Sequence, residues 1–293
     1  MADIGGQAVI EGVLMKAPDK ISIAVRLEDG KIKKRITDWI AFSKRNRFLG
    51  LPLVRGVATM AEMLFIGMES LTWSANQQAG EGEELSNKEM ILTIMFALGL
   101  TVLIFIIAPF FLARFLAHDK GDLVFNLLDG VIRLLFFFAY LLIIAQMNDI
   151  RRLFEYHGAE HKAVHCFEAG KPLTVKNVQK YPTEHSRCGT SFLILVVGIS
   201  IVVFSLIIDP RWYVKLLSRI LLIPIIAGIS YELLKLSSKF HDHPLMSIVV
   251  YPGILLQKIT TRQPDDRQVE VAIAALKAVK PSKASYARPA KPL

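Results

Sequence analysis

Hydrophobic residues are gathered along this chain rather than spread. Met90–Leu112, Val124–Met147, Phe192–Ile208 and Leu216–Leu236 are apolar runs, and a helix needs about 20 such residues to cross a membrane. Phe192–Ile208 is short but almost wholly apolar. Leu216–Leu236 carries Arg219 near one end, Pro224 in the middle and Glu232 near the other. Leu245–Leu256 contains Pro252 and Gly253 and is too short to cross, so a re-entrant or interfacial piece is expected. Outside these runs the period changes. Ile21, Ile23, Val25 and Leu27 alternate with polar or small residues, Asp29-Gly30 follows, and KIKKRITDWI comes next. That pattern predicts a β-hairpin with positive φ at both turn positions. GGQAVIEGVLM would add a third strand, with Glu11 facing solvent. The stretch 51–75 predicts a helix on which Arg55, Glu62 and Glu69 recur every seven residues along one face. Such a helix lies on the membrane or packs under a bundle.

The expected fold class is therefore mainly α, a polytopic membrane helical bundle of about four transmembrane helices with a small β-hairpin-containing N-terminal cytosolic domain. In chain order this gives a β-rich domain at 1–48 and an amphipathic helix with an acidic linker at 49–88. Two crossings occupy 89–147, and a His/Cys loop 148–191. Two more crossings and the interfacial segment fill 192–257, a cytosolic amphipathic helix 258–280, and a basic, disordered tail 281–293.

Charge settles orientation. The net charge is +9, and the basic residues concentrate before the first crossing, in 148–191 and after the last. With four crossings these all fall on one side, which places both termini in the cytoplasm of a multi-pass cell-membrane protein. The excess is thus spent on membrane orientation and does not call for nucleic acid. Membrane lipids are the expected partners. The C-terminal helix, with Val269, Ile273 and Leu276 in a stripe, would recruit a cytosolic protein. MADIGGQAVIEGV lacks a basic start and cleavage pattern, so no signal peptide is expected. The chain's two cysteines share one loop, which argues against a disulfide framework.

That loop holds the chemistry. His157, His161 and His165 stand at i, i+4 and i+8, one stripe on a helix. His157-Gly158-Ala159-Glu160-His161 reads H-x-x-E-H, the order of the inverted zinc-peptidase motif. His185 and Cys188 form an H-x-x-C pair, a metal-ligand spacing. The reading is a divalent metal, zinc in type, with His157 and His161 as the first ligand pair, completed from His165, His185 and Cys188. Glu160 would be the catalytic base. Glu232 is a carboxylate ligand from the last crossing or an interfacial residue reaching for water. Cys188 is a ligand or a nucleophile, Cys166 a packed thiol, and His241-Asp242-His243 an interfacial loop or a second metal contact.

GGQAVIEGVLM, YHGAEHKAVH, H-x-RCGTSF, LLIPIIAGISYELLK and PGILLQKITTRQPDDRQVEVAIAAL together resemble the YqhQ-like family of bacterial membrane proteins, from Gly5 to Leu276. The resemblance implies a membrane protein and a predicted metal-dependent enzyme, without a substrate. Glu11, His157, Glu160, His161, His165, His185, Arg187, Cys188 and Glu232 stand at its polar positions, none with an assigned role. The expected function is a metal-dependent, hydrolase-like membrane enzyme with its site at the cytoplasmic face. The alternatives are a non-catalytic scaffold or assembly factor with a structural metal, and a transporter built on the Asp129–Arg133 pair and Glu232.

Overall fold

The computed structural model describes residues 4–79, 87–118, 120–209, 211–239 and 244–280. The acidic linker lies largely outside these residues, and His241-Asp242-His243 and the tail after 280 wholly outside.

Four strands come first: β1 (Gly5–Val9), β2 (Gly12–Lys16), β3 (Lys20–Arg26) and β4 (Ile32–Asp38), one antiparallel sheet in chain order. GGQAVIEGVLM is thus two strands joined at Ile10-Glu11. Glu11 takes φ 51° there, and its carbonyl accepts the Arg26 N–H at 2.8 Å. Its carboxylate does not face solvent: Arg152 donates to it at 2.6 Å and the Tyr156 hydroxyl at 3.2 Å. The Asp29-Gly30 turn also differs from expectation. Of the two, only Gly30 has positive φ, and the loop is longer, closed by Leu27 N–H to the Lys31 carbonyl.

Both faces of the sheet are covered, which explains why β2 and β3 are buried on both sides. After a short helix, α1 (Phe42–Arg45), α2 (Val54–Gln78) packs Ile66 against Val9, Leu14, Ile21, Ile23 and Val25. Its three spaced charges are all taken. Glu62, 1% exposed, accepts from Lys16, Trp39 and the Phe42 N–H. Glu69 pairs with Arg35, and Arg55 with Glu232. Leu64, Phe65, Met68 and Leu71 of the same helix are exposed.

The apolar region comes after α2. α3 (Asn87–Val102) runs through a π turn into α4 (Ala108–Leu116), and α5 (Asp122–Ile144) comes next. Ile91–Leu116 and Asp122–Ile144 are long and apolar enough to cross a membrane. After α6 (Asn148–Glu168) and the one-turn α7 (Val175–Val178), α8 (Gly189–Ser205) is a shorter apolar helix. The run expected as one crossing at Leu216–Leu236 is broken into α9 (Trp212–Leu221) and α10 (Ile223–Lys239), bent by 47°. The break falls just before Pro224, which the first turn of a helix accepts and a helix interior does not. The pair makes a third candidate crossing if counted as one. Lys215 and Arg219 of α9 are buried while Trp212, Tyr213, Leu217 and Leu221 are exposed. Arg219 donates to Asn126 at 2.7 Å and shares Asp129 with Arg133. Asp129 thus serves two arginines, not one.

α11 (Pro244–Thr260) continues through Pro252 as one helix, where the sequence suggested a re-entrant or interfacial piece. α12 (Asp266–Val279) opens with a capping box between Asp265 and Gln268. Its stripe is covered within the chain. Val269, Ile273 and Leu276 are buried with Val13, Met15 and Ala24 of the sheet and Tyr156, Ala159 and Ala163 of α6. The sheet, α6 and α12 therefore build one core.

Candidate metal centre

One face of α6 belongs to the core through Tyr156, Ala159, Ala163 and Cys166. The next face carries His157, His161, His165 and Glu168. The loop opposite it is held by two buried side chains. Lys162, 2% exposed, donates to the carbonyls of Gln179 at 3.0 Å and Tyr181 at 2.7 Å. Burial pulls its pKa below the usual lysine range. From α11, Gln257 accepts the His185 N–H at 2.7 Å and donates to the His185 carbonyl at 3.0 Å. Helix α6 itself is latched to the segment after α11 by Arg262 N–H to the Phe154 carbonyl. Gly158 permits this approach: a Cβ there would stand 2.0 Å from the Arg262 carbonyl oxygen.

His157, His161 and Cys188 present ligand atoms that all lie within 4.8 Å of one another. His157 Nδ1 donates to the Thr260 carbonyl at 2.8 Å, and His161 Nδ1 donates to the Thr183 carbonyl. Each imidazole therefore keeps Nε2 for the cluster, and His157 Nε2 lies 3.3 Å from Cys188 Sγ. Cys188 caps α8, its sulfur accepting the Thr190 N–H at 3.3 Å. Burial pushes the His161 pKa well below the usual histidine range and the Cys188 thiol up to about 11.

Glu160 flanks this group. It is 4% exposed, and its Oε2 lies 3.4 Å from His161 Nε2. Burial raises its pKa, opposed by His157 and His185 and by the Gly6 N–H of β1. A Cβ on Gly6 would meet Leu14 O at 2.2 Å and Glu160 Cγ at 3.1 Å, so only glycine lets β1 run this close.

His165, Glu168 and His185 form a second group with ligand atoms equally close, but its atoms are largely occupied. Arg187 N–H donates to His185 Nδ1 at 3.2 Å, which leaves the proton on Nε2, 3.3 Å from Glu168 Oε2. Arg187 pairs with Glu168 through its guanidinium. His165 Nε2 donates to the Glu184 carbonyl at 2.8 Å. Burial lowers the pKa of both histidines. The rings of His165 and His185 are 4.4 Å apart, and those of His161 and His185 5.7 Å, so this network buttresses the first group from behind.

Glu232 joins neither group. Its carboxylate is held by Arg55 at 2.7 and 2.5 Å, with the Leu53 N–H at 3.4 Å. A guanidinium one helix away satisfies the charge that the sequence left open for a metal. Cys166 is a packed thiol, fully buried. Glu168, Lys162 and Gln257 carry weight that spacing alone does not reveal. Glu168 is the one within reach of sequence reasoning, standing three residues after His165 on the same stripe.

The family described as "Protein of unknown function (DUF1385)" matches residues 51–282. "Uncharacterized protein YqhQ" of Bacillus subtilis (strain 168) is 33% identical over 290 residues, covering 92% of this chain and 89% of that one. No solved structure matches the chain.

Proposed function

The chain belongs to the family described as "Protein of unknown function (DUF1385)", and from its site we propose a metal-dependent membrane hydrolase that holds a zinc-type ion between His157, His161 and Cys188. The carrying observation is the convergence of three ligand atoms within 4.8 Å, two of them imidazole nitrogens whose opposite ring nitrogens donate to carbonyls. That second bond fixes the tautomer and aims a metal-binding histidine. Two nitrogens and a thiolate suit zinc. Zinc there would act as a Lewis acid and bring the pKa of water to about 7. Glu160 takes and returns the proton. Burial raises its pKa above the usual carboxyl range, the direction a proton-transfer carboxylate needs. Arg187, Glu168, His185 and His165 position the ligands. The bond cleaved is a peptide or lipid-linked one presented at the cytoplasmic membrane face.

The same reading takes α8 and α10 as crossings beside the α3–α4 rod and α5, four in all. Asn126, one turn into α5, donates to the carbonyl of Ile207, beyond the end of α8. This supports α8 covering nearly the depth of α5 in the opposite direction. The exposed apolar and buried charged sides of α9 suit lipid, not water. Both termini and the site then share the cytoplasmic side.

A second reading is a scaffold with a closed structural zinc, favoured by the burial of His161, Cys188 and Glu160 at 3, 7 and 4% exposure. Glu160→Gln separates the two. In the detergent-purified full chain it should retain zinc and folding, yet fail to restore function in a deletion strain. Full complementation by Glu160→Gln, with His161→Ala inactive, would remove catalysis and leave the structural metal. Absence of zinc from wild type, Cys188→Ala and His161→Ala alike would remove both readings.

A further inference from the structure

Between Asp38 and Glu62 the chain has no acidic residue, and it carries Lys44, Arg45, Arg47 and Arg55. Arg55 is taken by Glu232. The other three are exposed, and no carboxylate among the described residues pairs with them. Arg45 is nonetheless held in place. Its Nε donates to the Ile40 carbonyl at 3.3 Å, and its guanidinium lies over the Phe42 ring at 4.7 Å. Its charge is thus positioned but not neutralised.

The same stretch exposes large apolar side chains. Phe48 is 62% exposed, Leu51 49% and Leu53 45%. Leu53 stands at φ 67° and ψ −52°, and the Val54 N–H donates back to the Pro52 carbonyl at 2.9 Å. This is the tight three-residue turn that is rare and strained for a residue with a Cβ. Glycine would relieve the strain, and burial of the leucine does not offset it. A leucine neither favoured by its backbone nor covered by the fold points to an apolar phase outside the fold.

The turn is seated on a candidate crossing. A Cβ on Gly228 of α10 would stand 2.8 Å from the Leu53 carbonyl oxygen. Gly228 is one turn further into that apolar helix than Glu232, so Leu53 lies deeper along α10 than the Arg55–Glu232 pair. The basic residues precede this apolar tip and form its rim.

We propose that residues 44–53 insert into an anionic lipid leaflet, with Phe48, Leu51 and Leu53 at the acyl boundary and Lys44, Arg45 and Arg47 on the headgroup phosphates. Apolar side chains beside a basic rim suit such a boundary, and each basic residue near an anionic surface adds about fivefold to the preference for it. A protein partner would have to bring carboxylates to the rim and also fill the space beside α10 that lipid occupies. The proposal uses α10 as a crossing and needs neither metal nor catalysis.

The test uses the full chain in nanodiscs of phosphatidylcholine, with and without an equal share of phosphatidylglycerol. Both native cysteines are buried, so a spin label on Leu51→Cys reports the tip, and one on Ile225→Cys, exposed on α10, reports the crossing. Collisions with oxygen mark lipid, and collisions with a water-soluble nickel chelate mark water. In anionic discs both labels should meet oxygen and escape nickel. In neutral discs, or with Lys44→Gln and Arg47→Gln together, the inserted fraction at Leu51 should fall about tenfold or more relative to the withdrawn one, with Ile225 unchanged. A water-exposed Leu51 label beside a lipid-facing Ile225 label would overturn insertion and leave the crossing standing. A Leu51 label shielded from both reagents would mean a protein partner, and equal insertion in the two lipids would remove the headgroup contacts; either overturns the proposal. A water-exposed Ile225 label would remove the crossing and the proposal with it.

Discussion

His161 and Cys188 sit in the protein with opposite displacements from water, and together they set the pH behaviour. Burial keeps the imidazoles of His161, His165 and His185 neutral to lower pH than in the unfolded chain. Their contribution to stability is therefore present above about pH 6.5 and lost as pH falls, because the unfolded chain takes up protons the fold refuses. Cys188, raised to about 11, contributes below its ordinary value and loses that contribution as pH rises toward 11. Glu160, also raised, costs stability once pH exceeds the ordinary carboxyl range, so Glu160→Gln should raise the melting temperature of the metal-free protein at neutral pH. A metal ligand must be deprotonated, and the thiol is the group still protonated near neutrality. Apparent zinc affinity should climb about tenfold per pH unit between roughly pH 7 and 9. Competition titration with a chelator across that range measures it, and a flat profile would argue against Cys188 as a ligand. At this scale the sequence was most legible. The stripe, the H-x-x-C pair and Glu160 were readable from spacing alone, because a helix converts spacing into direction. Glu232 was left open between a metal ligand and an interfacial residue, because nothing in the order of residues shows that Arg55, far away in the chain, reaches it.

Helix α6 is the element on which everything converges. It faces the core with one side, the loop 181–188 with another, and the segment after α11 with a third. Gly158 makes the last contact possible. Gly158→Ala places a methyl 2.0 Å from the Arg262 carbonyl oxygen, backbone that cannot swing aside as a side chain would. The expected loss is about 1–3 kcal/mol, read as a lower melting temperature, with zinc affinity reduced as well because the Thr260 carbonyl that orients His157 lies in the same segment. An unchanged melting temperature would mean that α6 and that segment do not meet. None of this was visible in the sequence. Hydrophobic period identifies a helix and its buried face, but not which carbonyl it will touch. The same limit explains α12. Its stripe was legible, whereas its burial against a sheet formed some 250 residues earlier was not. The bend between α9 and α10 was legible only as Pro224.

At the scale of the molecule, the sheet, α6 and α12 share one core, and the long apolar helices contribute nothing to it. Two or three of those helices suffice in length and composition to cross a membrane. The broad division into apolar and polar layers followed from the distribution of hydrophobic runs. The number of crossings did not, because α8 is short and α9 breaks from α10. Lys176, exposed on α7, reports the orientation. Both native cysteines are buried, so Lys176→Cys supplies an addressable thiol. A membrane-impermeant maleimide should label it only after the cells are opened, and labelling of intact cells would reverse the topology and move the proposed site to the other side.

The central claim is that Cys188 and two histidines of α6 hold one metal ion. Zinc absorption-edge spectroscopy on the zinc-loaded full chain tests it directly. The account predicts a shell with sulfur at about 2.3 Å and imidazole nitrogen at about 2.0–2.1 Å, with the sulfur lost in Cys188→Ser. A shell of nitrogen and oxygen alone in the wild-type protein, unchanged by Cys188→Ser, would contradict it.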